Sequence, residues 1–183
     1  MTESKPSPSR QNSPTSDGRG VPPDLLARTT DTIDADAEAV FATLAYGGRH
    51  GDAIPEVESV EFVSDKTEGV GARFRETRKL TAAQARFFKL LKLYRNVIEC
   101  TEFDPCRRVR YVSHGAGAQW HSTYTLVPLD DSRTRVESRL ETRPRNLLGR
   151  WLPRMLRGPL REASGKDLKA IKHYIEDAAG RRA

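Results

Sequence analysis

The chain has 183 residues, a formal net charge of +6 and 37% hydrophobic residues. That length suits one domain with a real core and is short for two. No apolar run approaches the roughly eighteen residues a membrane span needs. Nor is there a signal-peptide-like apolar stretch, so a soluble, cytoplasmic protein is expected.

Residues 1–26 are rich in Pro, Ser and Gly and nearly free of core formers. Such a segment buries too little apolar surface to offset its ordering entropy, and a disordered tail is expected there. The folded domain is expected over 27–178, with a frayed end at 179–183. The two cysteines, Cys100 and Cys106, lack the number and spacing of a disulfide framework or a zinc site and read as reduced packing and turn residues. The positive charge is concentrated at the end of the chain: residues 143–183 hold eleven Lys or Arg against four Asp or Glu.

In chain order, residues 27–33 alternate and are β-branched, which predicts a first strand. Asp36 offers an N-cap oxygen to a helix over 37–45, whose Val40, Phe41 and Leu44 share one face. Gly47, Gly48 and Gly51 end that helix. A strand over 57–63 places Val60 and Phe62 together. The next, over 70–79, puts Phe74, Glu76 and Arg78 on one face. If Phe74 points inward, the two charged residues do so as well, which is costly unless they are paired.

The stretch 81–93 breaks the two-residue rhythm. Thr81 and Gln84 have capping-box spacing, and Phe87, Leu90 and Leu91 cluster on a helical wheel. A short helix is expected, as structural cover, as a lid over a pocket mouth or as a membrane contact. Strands follow over 95–103, 108–114, 119–128 and 134–142, separated by the turns Asp104–Arg107, Gly115–Gly117 and Asp130–Ser132. This regular spacing predicts an antiparallel meander. Asn146 can cap a closing helical segment in which Leu147, Leu148, Trp151, Leu152, Met155 and Leu156 form an apolar stripe. Pro159 belongs in the first turn of a fresh helix, over 159–178, because an interior proline costs about 3 kcal/mol.

The expected fold is therefore α+β, with a curved antiparallel sheet of about six to seven strands wrapped around a long, kinked C-terminal helix. Strand, short helix, meander and long closing helix is the order of the helix-grip fold, and the local sequences agree. Through TIDADAEAVFATLA, EGVGARFRETRK, ECTEFDPCRRVRY, HSTYTLVPLDDSRTRVE and NLLGRWLPRML, the chain resembles the polyketide cyclase/dehydrase branch of the SRPBCC (START-related) superfamily. It departs from that pattern after the first helix, where GGRHGDAIPEVE replaces an aromatic or Trp-containing segment. The resemblance implies a cavity between sheet and helix for a hydrophobic or polycyclic small molecule. Some members of the family cyclise or dehydrate polyketides.

Strand phase supplies the candidate site. Phe74, Glu76 and Arg78 come from one strand; Tyr111 and Ser113 from another; Trp120, Ser122 and Tyr124 from the next; and Ser138 and Leu140 from the last. Met155 joins them from the closing helical segment. Apolar walls with a few polar groups suit a small-molecule site. Were there catalysis, Glu76 is the best candidate for an acid or base, with Arg78 or Tyr124 polarising a carbonyl. The bland alternative makes Glu76 and Arg78 a structural pair.

The histidines lack metal-ligand spacing, and His114 and His121 fall on the solvent face. No metal, cofactor or specific nucleic-acid partner is expected. Peripheral binding to an anionic membrane or to nucleic acid through the basic C-terminal helix, a weak contact in the membrane case, is the third reading, after ligand binding and catalysis.

Overall fold

Tight turns between successive alternating strands make each strand's chain neighbour its nearest antiparallel partner. In the computed structural model, which describes residues 23–79 and 95–181, seven strands form one antiparallel sheet in the order β1-β7-β6-β5-β4-β3-β2. The strands are β1 (Asp24–Ile33), β2 (Val57–Phe62), β3 (Arg73–Arg78), β4 (Arg95–Asp104), β5 (Arg108–Gly115), β6 (Ala118–Asp130) and β7 (Arg133–Pro144). Between β1 and β2 lie α1 (Ala37–Ala45), a 3-10 turn (Gly47–Arg49) and α2 (His50–Ala53); after β7 come α3 (Leu147–Met155) and α4 (Arg157–Gly180). This is the expected helix-grip architecture. Of the tail expected over 1–26, residues 1–22 lie outside the described residues, as does the helix expected over 81–93, whereas residues 24–26 belong to β1.

β1 begins at Asp24, earlier than its alternation suggests, because a bulge between Leu25 and Ala27 shifts the register on β7. The bulge buries two consecutive residues, Leu26 and Ala27, and so hides the period of two. Irregularities at Cys100/Glu102 in β4 and Pro128/Asp130 in β6 add bends of the kind that let a sheet curl. Between β5 and β6, Ala116 and Gly117 both take left-handed torsions, with φ of 50° and 73°. That is the combination a two-residue hairpin requires.

The core sits where sheet and helices meet. Val109, Tyr111, Leu126 and Val136 of the sheet, Val40, Phe41 and Leu44 of α1, and Leu168, Ile171 and Ile175 of α4 form one buried cluster. α1 starts as expected, with the Asp36 carboxylate accepting the Ala39 N–H at 2.8 Å. α4 lies against β1 and also approaches α1, α2 and β7. The break between α3 and α4 falls at Leu156 (φ −90°, ψ 6°). Pro159 occupies the first turn of α4, where its missing N–H has no helical partner to lose. No helix among the described residues is long and apolar enough to cross a membrane.

α3 is mounted on the β5–β6 turn. The Gly117 carbonyl accepts the N–H groups of Arg145 and Asn146, at 2.8 and 3.2 Å, and the Asn146 side chain caps the helix by accepting the Gly149 N–H at 2.9 Å. A Cβ at Gly149 would lie 1.9 Å from the Gly117 oxygen, and that atom is backbone. Gly149→Ala is expected to destabilise the domain by about 2 kcal/mol, the typical penalty of an overpacked contact. Urea melts check this; an unchanged midpoint would show that α3 is not seated on the turn.

Candidate functional site

β3 carries Phe74 and Glu76 inward, as the alternation predicts, and both are buried. Glu76 is not left alone. Its Oε1 accepts a hydrogen bond from Arg78 Nε at 2.7 Å, and Arg78 turns the other edge of its guanidinium to α4. There Nη1 and Nη2 donate to the two carboxylate oxygens of Asp167, at 3.3 and 2.9 Å. This fork fits a planar carboxylate on both of its oxygens. It ties the long helix to the strand farther from β1 and so spans the concave face.

The other oxygen of Glu76 faces α2, where His50 Nδ1 stands 3.6 Å from Oε2. That separation lies just beyond hydrogen-bond range. Nε2 of the same ring lies 3.3 Å from the Leu44 carbonyl at the end of α1. Both ring nitrogens thus face oxygen atoms that can accept a hydrogen bond. Burial alone would raise the Glu76 pKa, but His50 and the Arg78 charge outweigh it and hold the carboxyl down, from its ordinary 4.5 to about 2. Leu44, His50, Glu76, Arg78 and Asp167 form one polar chain linking α1, α2, β3 and α4.

Tyr124 and Ser138 face one another across β6 and β7. Burial first, and then the Asp167 carboxylate, push the Tyr124 phenol well above its ordinary range, with Arg78 opposing. At neutral pH it is a neutral O–H donor. Trp120, Ser122 and Leu140 share the inward phase with Tyr124 in the register, and all four are only half-buried. Farther along the same strands Leu126 and Val136 are sealed in the core. The concave face therefore has a dry end under α1 and α4 and a less closely covered, open end around Trp120, Ser122 and Leu140, flanked by the buried Ala118, Ser138 and Thr142.

Three expected site residues are committed elsewhere. The Tyr111 hydroxyl is shared between the Leu44 and Ala45 carbonyls, at 2.9 and 2.7 Å, and so fastens the last turn of α1 to the sheet. The Trp120 indole N–H donates to the Gly115 carbonyl at 3.0 Å, leaving only the ring to face the open end. Met155 stands apart from the group, 78% exposed on α3. The side of α3 against the sheet is the small one, carrying Gly149 and the buried Pro153, which turns Met155 outward. On the convex face His114 is exposed, as expected, whereas His121 is half-buried. Its pKa is lowered by burial and by Arg143 and Arg110.

His50 and Asp167 were not among the expected site residues. Asp167 had a readable signal: it lies four residues before Ile171, on the buried stripe of α4, where an acid needs a partner. His50 lies in GGRHGDAIPEVE, the segment that departs from the family pattern, and no spacing rule connects it with Glu76.

Residues 26–176 match a protein family described as polyketide cyclase / dehydrase and lipid transport. No curated protein matches the sequence. Among solved structures, the chain resembles the ZhuI aromatase/cyclase from Streptomyces sp. R1128, with 19% identity and a TM-score of 0.60 over 85% of this chain and 93% of that one. Norcoclaurine synthase from Thalictrum flavum superposes with a TM-score of 0.60 at 13% identity, covering 97% and 98% of the two chains. A START superfamily protein from Mycobacterium smegmatis gives 0.55 at 13% identity, over 86% and 98%. At these identities the structural likeness speaks for the fold alone. The match along residues 26–176 carries the assignment: the chain belongs to the polyketide cyclase / dehydrase and lipid transport family.

Proposed function

We propose that the chain binds one small, largely apolar molecule over the open end of the concave face. The observation supporting this is the partial exposure of Trp120, Ser122 and Leu140 on interior-phase positions of β6 and β7. Trp120 and Leu140 offer apolar wall. Tyr124, Ser138 and Arg78 offer donors, so the ligand carries a carbonyl or other acceptor oxygen at one end. An oxygen-bearing polycyclic compound fits that description.

Proton transfer by Glu76 is the weaker reading. A carboxyl held at about 2 is a poor base near neutral pH, because efficient acid–base groups titrate near the working pH. Its geometry instead suits a strut that aims Arg78.

A neutral naphthylamine dye tests the binding reading by fluorescence titration. Saturable binding is expected, and Ser122→Phe, which places a ring in the open end, is expected to weaken it by about tenfold, the worth of one displaced apolar group. The thermal midpoint should stay unchanged, since Ser122 is half-buried. Unaltered dye affinity in a folded Ser122→Phe protein would remove the concave face as the site.

A further inference from the structure

The apolar side of α3 faces outward. Leu147, Leu148, Trp151 and Met155 are 75%, 50%, 62% and 78% exposed, and with spacings of four residues between Leu147, Trp151 and Met155 they make one stripe. The opposite side, Gly149 and Pro153, is the one that is buried. A helix seated on its small residues with its large apolar ones in water is mounted for something other than core packing.

Charge indicates the partner. Residues 143–161 contain six arginines and no acidic residue. Two of them anchor the helical junction to β1: Arg154 pairs with Asp24 and Arg157 donates to the Leu25 carbonyl. Arg143, Arg145, Arg150 and Arg161 are exposed and have no acidic partner among the described residues. Pairing α3 with a second copy would bring two acid-free arginine runs together. A nucleic acid would use the arginines and leave the Trp, Leu and Met side chains in water. An anionic bilayer surface uses both, with apolar side chains below the headgroups and guanidiniums among the phosphates.

We infer that α3 is an interfacial anchor that docks this protein on anionic membranes. The inference does not depend on the ligand proposed above: Ser122→Phe is expected to leave docking intact, so the two readings fail separately. The test is flotation of the full chain with vesicles of equal parts phosphatidylglycerol and phosphatidylcholine, beside vesicles of phosphatidylcholine alone. The protein is expected to float with the anionic vesicles, weakly with the neutral ones, and less as salt rises. Trp151→Ser combined with Met155→Ser is expected to reduce partitioning by at least about tenfold, with no change in thermal midpoint because both side chains already lie in water.

Failure to float with anionic vesicles would overturn the inference. So would flotation indifferent to the double substitution, which would make the contact purely electrostatic. Concentration-dependent dimerisation abolished by the same substitutions would overturn it in favour of a second copy. Tighter binding to duplex DNA than to the vesicles, unaffected by them, would do so in favour of nucleic acid.

Discussion

Glu76→Gln is expected to lower the unfolding free energy by about 3 kcal/mol near neutral pH, and the difference from the parent protein is expected to vanish in acid. A carboxyl moved from 4.5 to about 2 differs by roughly two and a half units between unfolded and folded states, and each unit is worth about 1.4 kcal/mol. Because the folded value is the depressed one, the stabilisation is fully present above 4.5. It is lost as pH falls from there through about 2. Urea melts of both proteins at neutral pH and at successively lower pH measure the gap. Asp130, also held at about 2 in its exposed turn by Arg133 and Ser132, titrates in both proteins and cancels in the comparison. The amide preserves the shape of the site but leaves His50 facing a neutral group and Arg78 with Asp167 as its remaining charged partner. A gap that persists undiminished at low pH would mean the side chain acts through packing alone, and the charge chain described above would be wrong.

Phe74→Ala is expected to cost more, about 4 kcal/mol, in the range for an aromatic ring removed from a closed core. Phe74 is 1% exposed. Its ring packs edge to face against His50, Phe62 and Tyr111, at centroid distances of 5.9, 6.1 and 5.7 Å. It also occupies the space above Gly47, where a Cβ would come within 2.6 Å of the ring. The ring thus holds α2 and the 3-10 turn against β3, and with them His50. Removing it should loosen the contact between His50 and Glu76, so Phe74→Ala and Glu76→Gln are expected to be non-additive. The double variant should lose less than the two single losses combined. Strict additivity in a double-mutant cycle would separate the aromatic cluster from the charge chain.

The parts of the fold that could be read from the sequence are those in which one local rule acts alone. Alternation marked β3, β5, β6 and β7, and it put Glu76 and Arg78 on the face of Phe74. Where two rules compete, the pattern misleads. The bulge at Leu25/Ala27 spoils the period in β1. The stripe on α3 reads as a core face, yet the close approach permitted by Gly149 decides which side meets the sheet. Steric fit at a glycine outweighs the hydrophobic pattern there.

For the site the limit is different in kind. Strand phase shows which side chains share a face, and it brought Tyr124 and Ser138 together. It says nothing of contacts made across the concave face from α2 and α4, so His50 and Asp167 could not be joined to Glu76 and Arg78. Nor does it show where a polar hydrogen is directed. Tyr111 has the right phase, but its hydroxyl serves the end of α1.

Ligand entry at the open end of the concave face can be read directly. The protein's two tryptophans test it in a single experiment, since Trp120 stands at that end and Trp151 on the outward side of α3. In an NMR correlation spectrum with the neutral naphthylamine dye added to saturation, the Trp120 indole N–H is expected to shift and the Trp151 indole to stay in place. Movement of the Trp151 signal with Trp120 unchanged would put the dye on the exposed helix and exclude the concave face as its site.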